Sequence, residues 1–312
     1  MDYIIGAVVA ILEIFKWLIL ANVILAFLPM ISRLIPGYHP AKDFINRVRT
    51  HPAADFIRKI VEPVLRPIRP YCQFGMIDFS PLVVFFLIGF LQDLLVGGIF
   101  AVTRLLARII VLVTAFSIHE FAHAYVAFQQ GDPTAKHQGR LTLHPRSHLD
   151  IFGSLALLAF GFGWAKPVPV NPNYLRSGPK IGMAIVAIAG PISNLILAGL
   201  GAVVIRTLFP LLPDANLLSL TGSLVFFVQL ILIEFVGINV LLFFFNLLPI
   251  APLDGFKVLV GFLPYPQSSS FQRLEPIGPI ILLVLLLIGQ PLLALFVGLP
   301  SSAVTSLLLP SL

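Results

Sequence analysis

The chain has 312 residues, of which 58% are hydrophobic and 11% charged, with 27 Phe and a single cysteine, Cys72. Soluble domains carry about 25% charged residues, so an ordinary soluble enzyme, a disordered tail and a disulfide scaffold are excluded. The net charge of +6 reads as Lys and Arg concentrated in loops on one side of a membrane, and no nucleic-acid partner is expected.

A helical span needs about 20 mostly apolar residues. Six stretches meet this: 4–30, 81–103, 105–128, 181–205, 224–248 and 277–298. The first lacks a basic leader and is too long for a cleaved signal peptide, so it reads as a retained span. Within it Glu13 and Lys16 lie three apart on one helical face and are expected to neutralise each other. The basic, Pro-rich loop 31–80 suits either topology setting or contact with anionic head groups. Ser80 is expected to cap the second span, with Pro81 at its first position. Asp93 is expected to pair with Arg104 or Arg108. After the third span, 137–150 and 166–170 read as short edge strands or a hairpin whose edge could receive an unwound peptide. Between them 151–165, apolar but short and glycine-rich, reads as a re-entrant or buried segment. The tail 299–312 is too short to span. Sixteen of the 20 basic residues fall in loops 31–80, 129–180 and 249–276. The positive-inside rule therefore expects these loops in the cytoplasm and both termini outside. The expected fold class is an all-α integral membrane protein of about six transmembrane helices, with a short re-entrant or β-hairpin element near the active site.

Span three contains His119-Glu120-Phe121-Ala122-His123. Two His four apart share one face of a helix and can reach one metal ion, while the intervening Glu can act as general base. Ionisable residues are costly inside a membrane unless they serve a site; the alternative is a polar cluster satisfied within the bundle. A catalytic zinc takes three protein ligands and leaves one position open. Span five ends in Asn246-Leu247-Leu248-Pro249-Ile250-Ala251-Pro252-Leu253-Asp254-Gly255, where two prolines prevent a regular helix. Asp254, expected in a turn near the membrane surface, is the candidate third ligand; a plain Asp-Gly turn is the alternative.

These residues resemble the site-2 protease family of intramembrane zinc metalloproteases. The resemblance also rests on Ala189-Gly190-Pro191-Ile192-Ser193-Asn194, Gly131-Asp132-Pro133-Thr134-Ala135, Gly139-Arg140-Leu141-Thr142-Leu143 and Gly161-Phe162-Gly163-Trp164-Ala165-Lys166-Pro167-Val168-Pro169-Val170, and runs from about 105 to 260. It implies one zinc per chain held by His119, His123 and Asp254, with Glu120 activating water and Asn246 or Asn194 holding substrate or the developing oxyanion. It further implies transmembrane protein substrates and a place in a bacterial or archaeal cytoplasmic membrane. Ala251 departs from the Pro, and His144 from the Asn, common in the family. Glu62-Pro63-Val64-Leu65-Arg66-Pro67-Ile68-Arg69 and Ile77-Asp78-Phe79-Ser80-Pro81 resemble the YggT family of two-span membrane proteins. The chain thus divides into a YggT-like module, 1–103, and a protease core, 104–312.

Competing readings are a membrane assembly or scaffold protein with a vestigial metal site, which the intact Glu120 disfavours, and a metal transporter, which lacks a continuous polar path. Glu234 is either functional or hydrogen-bonded to a neighbouring helix. His148 is either near the site or structural. Cys72 has nothing nearby to activate a thiol, and Gly161-x-Gly163 lacks the rest of a dinucleotide fingerprint. Oligomeric state is not encoded in any of these features.

Overall fold

A computed structural model describes residues 2–34, 39–74, 77–160, 164–213, 219–287 and 289–309. In chain order the longer helices are α1 (Asp2–Leu34), α2 (His39–Arg49), α3 (Pro52–Leu65), α4 (Ser80–Gly97), α5 (Ile99–Gln129), α6 (Ile151–Phe160), α7 (Pro179–Leu208), α8 (Leu220–Asn246), α9 (Asp254–Phe262), α10 (Tyr265–Gln272), α11 (Gly278–Leu287) and α12 (Leu299–Leu308). Among the described residues six helical stretches are long and apolar enough to cross a membrane: Tyr3–Ala26, Ser80–Gly97, Ile99–Gln129, Pro179–Leu211, Leu220–Asn246 and Pro291–Leu308. The chain is an all-α integral membrane protein.

Two boundaries differ from the sequence expectation. The break between the second and third spans falls at Gly98, not near Arg104, because Gly98 takes a left-handed φ of 56° that a side chain would disfavour. The last span is Pro291–Leu308 rather than 277–298, so most of the tail judged too short belongs to it. Pro291 cannot continue α11 and instead opens the next helix. Further on, the Leu299 N–H reaches back to the Ala294 carbonyl in a π turn, which accommodates the missing N–H of Pro300.

The chain forms two compact units, one of Met1–Thr103 with Ile151–Trp164, the other of Arg104–Asp150 with Ala165–Leu312. In the first, α1 packs on α3 and α4 around Ile19, Val61, Leu65, Val84 and Ile88. Lys16 Nζ donates to Glu13 Oε2 at 2.9 Å and to Gln92 Oε1 at 3.1 Å, so the expected pair is a three-residue cluster. Ser80 is the first residue of α4 rather than its cap; its N–H and hydroxyl donate to Asp78 Oδ1 at 2.9 and 2.6 Å. Arg69 donates to Asp78 at 2.7 Å and to Glu62 at 2.8 Å. Within the segment 151–165, residues 151–160 form helix α6, packed on α4 with Phe152 stacked on Phe79 at 4.2 Å. Gly153 lies so close to the Trp164 carbonyl that a Cβ would meet it at 1.9 Å. Gly161, Phe162 and Gly163 lie outside the described residues.

The Asp78 cluster makes a pH prediction. Burial of Asp78 opposes ionisation, but the bonds from Ser80 and Arg69 outweigh it and hold the carboxyl below the usual carboxylate range. A lowered pKa stabilises the fold above the unfolded value of about 4, and that stability is lost as pH falls through the lowered value. Asp78→Asn is expected to lower Tm at pH 7, with the gap from wild type closing at strongly acid pH. Thermal unfolding across that range checks it.

In the second unit α7 packs against α8 and α9. The helices approach through small residues: Ala198 and Ala202 on α7 meet Val236 and Val240 on α8, and a Cβ on Gly201 would meet the Phe235 ring at 2.9 Å. Such close approach is how helices associate where lipid supplies no hydrophobic drive. Glu234 is the partner of Arg108, at 3.3 Å between α8 and α5. The hairpin expected over 137–150 and 166–170 narrows to one bridge, Leu149 with Ala165. The carbonyls of Lys166 and Pro167 accept from Arg140 at 2.6 and 3.2 Å. His148 is fully buried and donates from Nε2 to the Thr142 carbonyl at 2.6 Å.

Candidate metal centre

The centre begins with helix α5. Its register places His119 and His123 one turn apart on the face turned towards α7, with rings 4.7 Å apart at 86°. Both are buried, as is Glu120. His123 Nδ1 lies 2.8 Å from the Val186 carbonyl of α7. A carbonyl can only accept, so Nδ1 carries the proton and Nε2 of a neutral imidazole presents a lone pair. His119 Nδ1 lies 2.6 Å from Asn194 Oδ1, also on α7.

The third arm arrives through the turn after α8. Leu253 N–H donates to the Ile250 carbonyl at 2.9 Å, and the Ala251–Pro252 peptide is cis. Asp254 follows that turn as the first residue of α9, so its carboxylate sits at a helix N-terminus. The chain doubles back so tightly that a Cβ on Gly255 would meet the Leu247 carbonyl at 2.2 Å; the Asp-Gly pair is thus a packing requirement. Burial disfavours the charged form of Asp254, but His123 and His119 beside it outweigh burial and hold the carboxyl well below the usual range.

These groups meet in a triangle. Asp254 Oδ2 is 3.1 Å from His119 Nε2 and 3.1 Å from His123 Nε2, and the two Nε2 atoms are 3.1 Å apart. Two imidazole nitrogens and a carboxylate oxygen converging at this spacing suit a cation, since ligand atoms around a tetrahedral zinc stand about 3.3 Å apart. Glu120 offers a carboxylate oxygen within 4.8 Å of both imidazoles, close enough to serve the same ion or its water. Space for an ion is kept by Gly190 of α7: a Cβ there would stand 2.4 Å from His123 Nε2 and 2.5 Å from His119 Nε2. The residues present therefore fit a zinc-sized cation.

Two of the amides singled out from sequence are placed differently. Asn194 is fully buried, with Oδ1 on His119 and Nδ2 donating to Asn239 Oδ1 at 2.8 Å. Its amide thus links His119 to Asn239. Asn246 is half-buried and donates from Nδ2 to its own helix, at Leu242 O, 3.0 Å away. No bond among the described residues brings it to the triangle. Sequence reasoning missed Asn239 and gave Gly190 no role; a second amide buried in an apolar span, seven residues before Asn246, was the available signal. Burial pushes the Cys72 thiol up, with the charge of Asp78 adding to it, so no activated thiol competes with the metal centre.

Apolar helices of membrane-spanning length, a buried His-Glu-His cluster and a converging Asp point to the class of metal-dependent hydrolases in membrane proteins. The CCB3/YggT family model matches residues 1–99. YwhC of Bacillus subtilis strain 168, named as a candidate zinc metalloprotease, is 42% identical over 177 residues, covering 57% of this chain and 78% of YwhC. Rip2 of Mycolicibacterium smegmatis and Rip2 of Mycobacterium tuberculosis H37Rv carry the same designation. They are 29% and 30% identical over 54% and 55% of this chain, which spans 62% and 61% of their own lengths. No solved structure matches the chain. The chain belongs to the site-2 protease family of zinc metalloproteases and carries a YggT-family unit at its N-terminus.

Proposed function

We propose that the chain is an intramembrane zinc endopeptidase that hydrolyses peptide bonds within or beside transmembrane segments of other proteins. The observation carrying this reading is the triangle of His119, His123 and Asp254 beside Glu120, with both imidazoles and Glu120 on a helix of membrane-spanning length. Sixteen of 20 basic residues lie in loops on one side of a six-span topology, which puts those loops in the cytoplasm of a bacterial-type membrane and both termini outside. Residues 1–103 serve as a membrane module and 104–312 as the protease core.

His119 and His123 would hold a zinc ion through Nε2 and Asp254 through Oδ2. When bound there, the ion would supply Lewis acidity, by which water is acidified toward a pKa of about 7 and a scissile carbonyl polarised. Glu120 takes the proton of the attacking water and delivers it to the leaving amine. Asn246 or Asn194, each with one Nδ2 hydrogen bond given, is the amide available to a developing oxyanion. A substrate helix satisfies its own backbone hydrogen bonds and must unwind before reaching these groups.

The reading is tested with the full chain in liposomes and a reporter containing one transmembrane segment. Cleavage within that segment is expected, abolished by a zinc chelator and restored by zinc. Cleavage that persists at full rate after complete zinc removal overturns it.

A further inference from the structure

The metal-facing atom of His119 depends on a chain of hydrogen bonds that starts two side chains away. Phe235 O on α8 is a carbonyl and can only accept. It takes a hydrogen bond from Asn239 Nδ2 at 2.8 Å. The other end of that amide, Oδ1, must then accept, and it does so from Asn194 Nδ2 at 2.8 Å. The Asn194 amide is thereby oriented with Oδ1 towards His119, where it accepts from Nδ1 at 2.6 Å. Each link leaves the next one orientation. At its end His119 carries its proton on Nδ1 and its lone pair on Nε2, the atom in the triangle with His123 and Asp254. Asn194 and Asn239 are both fully buried, so no water competes for these bonds. His123 achieves the same result in one step through Val186 O. His119 has no backbone carbonyl as its Nδ1 partner, and a carboxamide, unlike a carbonyl, can turn round.

We infer that Asn239 is a positioning residue: by fixing the Asn194 amide it selects the His119 tautomer able to bind the metal. This rests on the metalloprotease reading above. Without Asn239, Asn194 is free to flip and present Nδ2 to His119 Nδ1; the imidazole would then protonate at Nε2 and lose its ligand lone pair. A carboxylate at 194 accepts whichever way it turns, so it removes the need for Asn239.

The test is zinc affinity by chelator competition on the full-length protein in detergent, independent of proteolysis. Partners behind a ligating His typically change affinity 10–100-fold. Asn239→Leu is expected to weaken zinc binding by about that factor, and Asn194→Asp added to Asn239→Leu is expected to restore it. Unchanged affinity in Asn239→Leu overturns the inference. So does a loss that Asn194→Asp fails to rescue, which would mark Asn239 as a packing residue. If Asn239→Leu does not fold, Asn194→Leu and Asn194→Asp are compared: weakened binding in the first and retained binding in the second support the chain of bonds, and equal affinities overturn it. Absence of zinc binding by the wild type would instead sink the metalloprotease reading itself.

Discussion

Gly190→Ala is expected to empty the metal centre with a single methyl group. The added carbon would stand 2.4–2.6 Å from His123 Nε2, His119 Nε2 and His119 Cε1. Contacts that short force something to move, and little here can. Both imidazoles are pinned through Nδ1, to Val186 O and Asn194 Oδ1, and Gly190 itself belongs to the long helix α7 that packs against α8 and α9. The methyl takes the space into which the Nε2 lone pairs point. Overpacking of this kind costs about 1–3 kcal/mol in a core, which a helical membrane protein survives, so the loss should appear as missing zinc rather than a missing protein. Bound zinc measured by mass spectrometry should fall to background, and cleavage with it. Gly199→Ala is the control: it lies on the same helix with nothing within 4 Å of the added carbon, and it should retain both zinc and activity. Wild-type zinc content in Gly190→Ala would mean the ion sits elsewhere.

Glu120→Gln and Asp254→Asn should separate chemistry from metal binding. Gln keeps the size and hydrogen-bonding reach of Glu120 but cannot take a proton, so zinc stays and cleavage falls by about 10²–10⁴, the usual contribution of a general base. Asn at 254 keeps one oxygen but loses the negative charge that offsets the cation, and the amide can turn a donor towards the two Nε2 atoms. Zinc affinity should fall, with activity recovering in part when zinc is raised. Parallel zinc titrations and cleavage assays decide this. If Glu120→Gln loses zinc while Asp254→Asn keeps it, the roles are exchanged and Glu120 is the third ligand.

The unequal legibility of these features has physical causes. His119, Glu120 and His123 could be placed from sequence because an α-helix fixes the geometry of residues three and four apart. Five of the six spans could be placed because length and apolarity suffice. The sixth was displaced because 277–308 is apolar almost throughout, and hydropathy cannot say on which side of Pro291 a helix continues. Asp254 was found through the prolines before it, although its position at the start of α9 depends on α9 docking against α7. Asn194 was singled out as an amide near the site, but its partner could not be foreseen, since two helices must pack before Asn239 reaches it. Gly190 was invisible for a related reason. A glycine in a span full of small residues gives no sign of which one faces the ion.

The spacing of the triangle along the chain has a further consequence. His123 and Asp254 are 131 residues apart. Ribosomes add about 5–20 residues per second, so roughly 7–26 s of synthesis separate the two ligands. During that interval the nascent helix already displays both imidazoles and the general base, but no third arm exists to complete the site. On the proposed function, a chain built this way would gain its third ligand, and with it any capacity to cleave, only after most of its own bundle has been made.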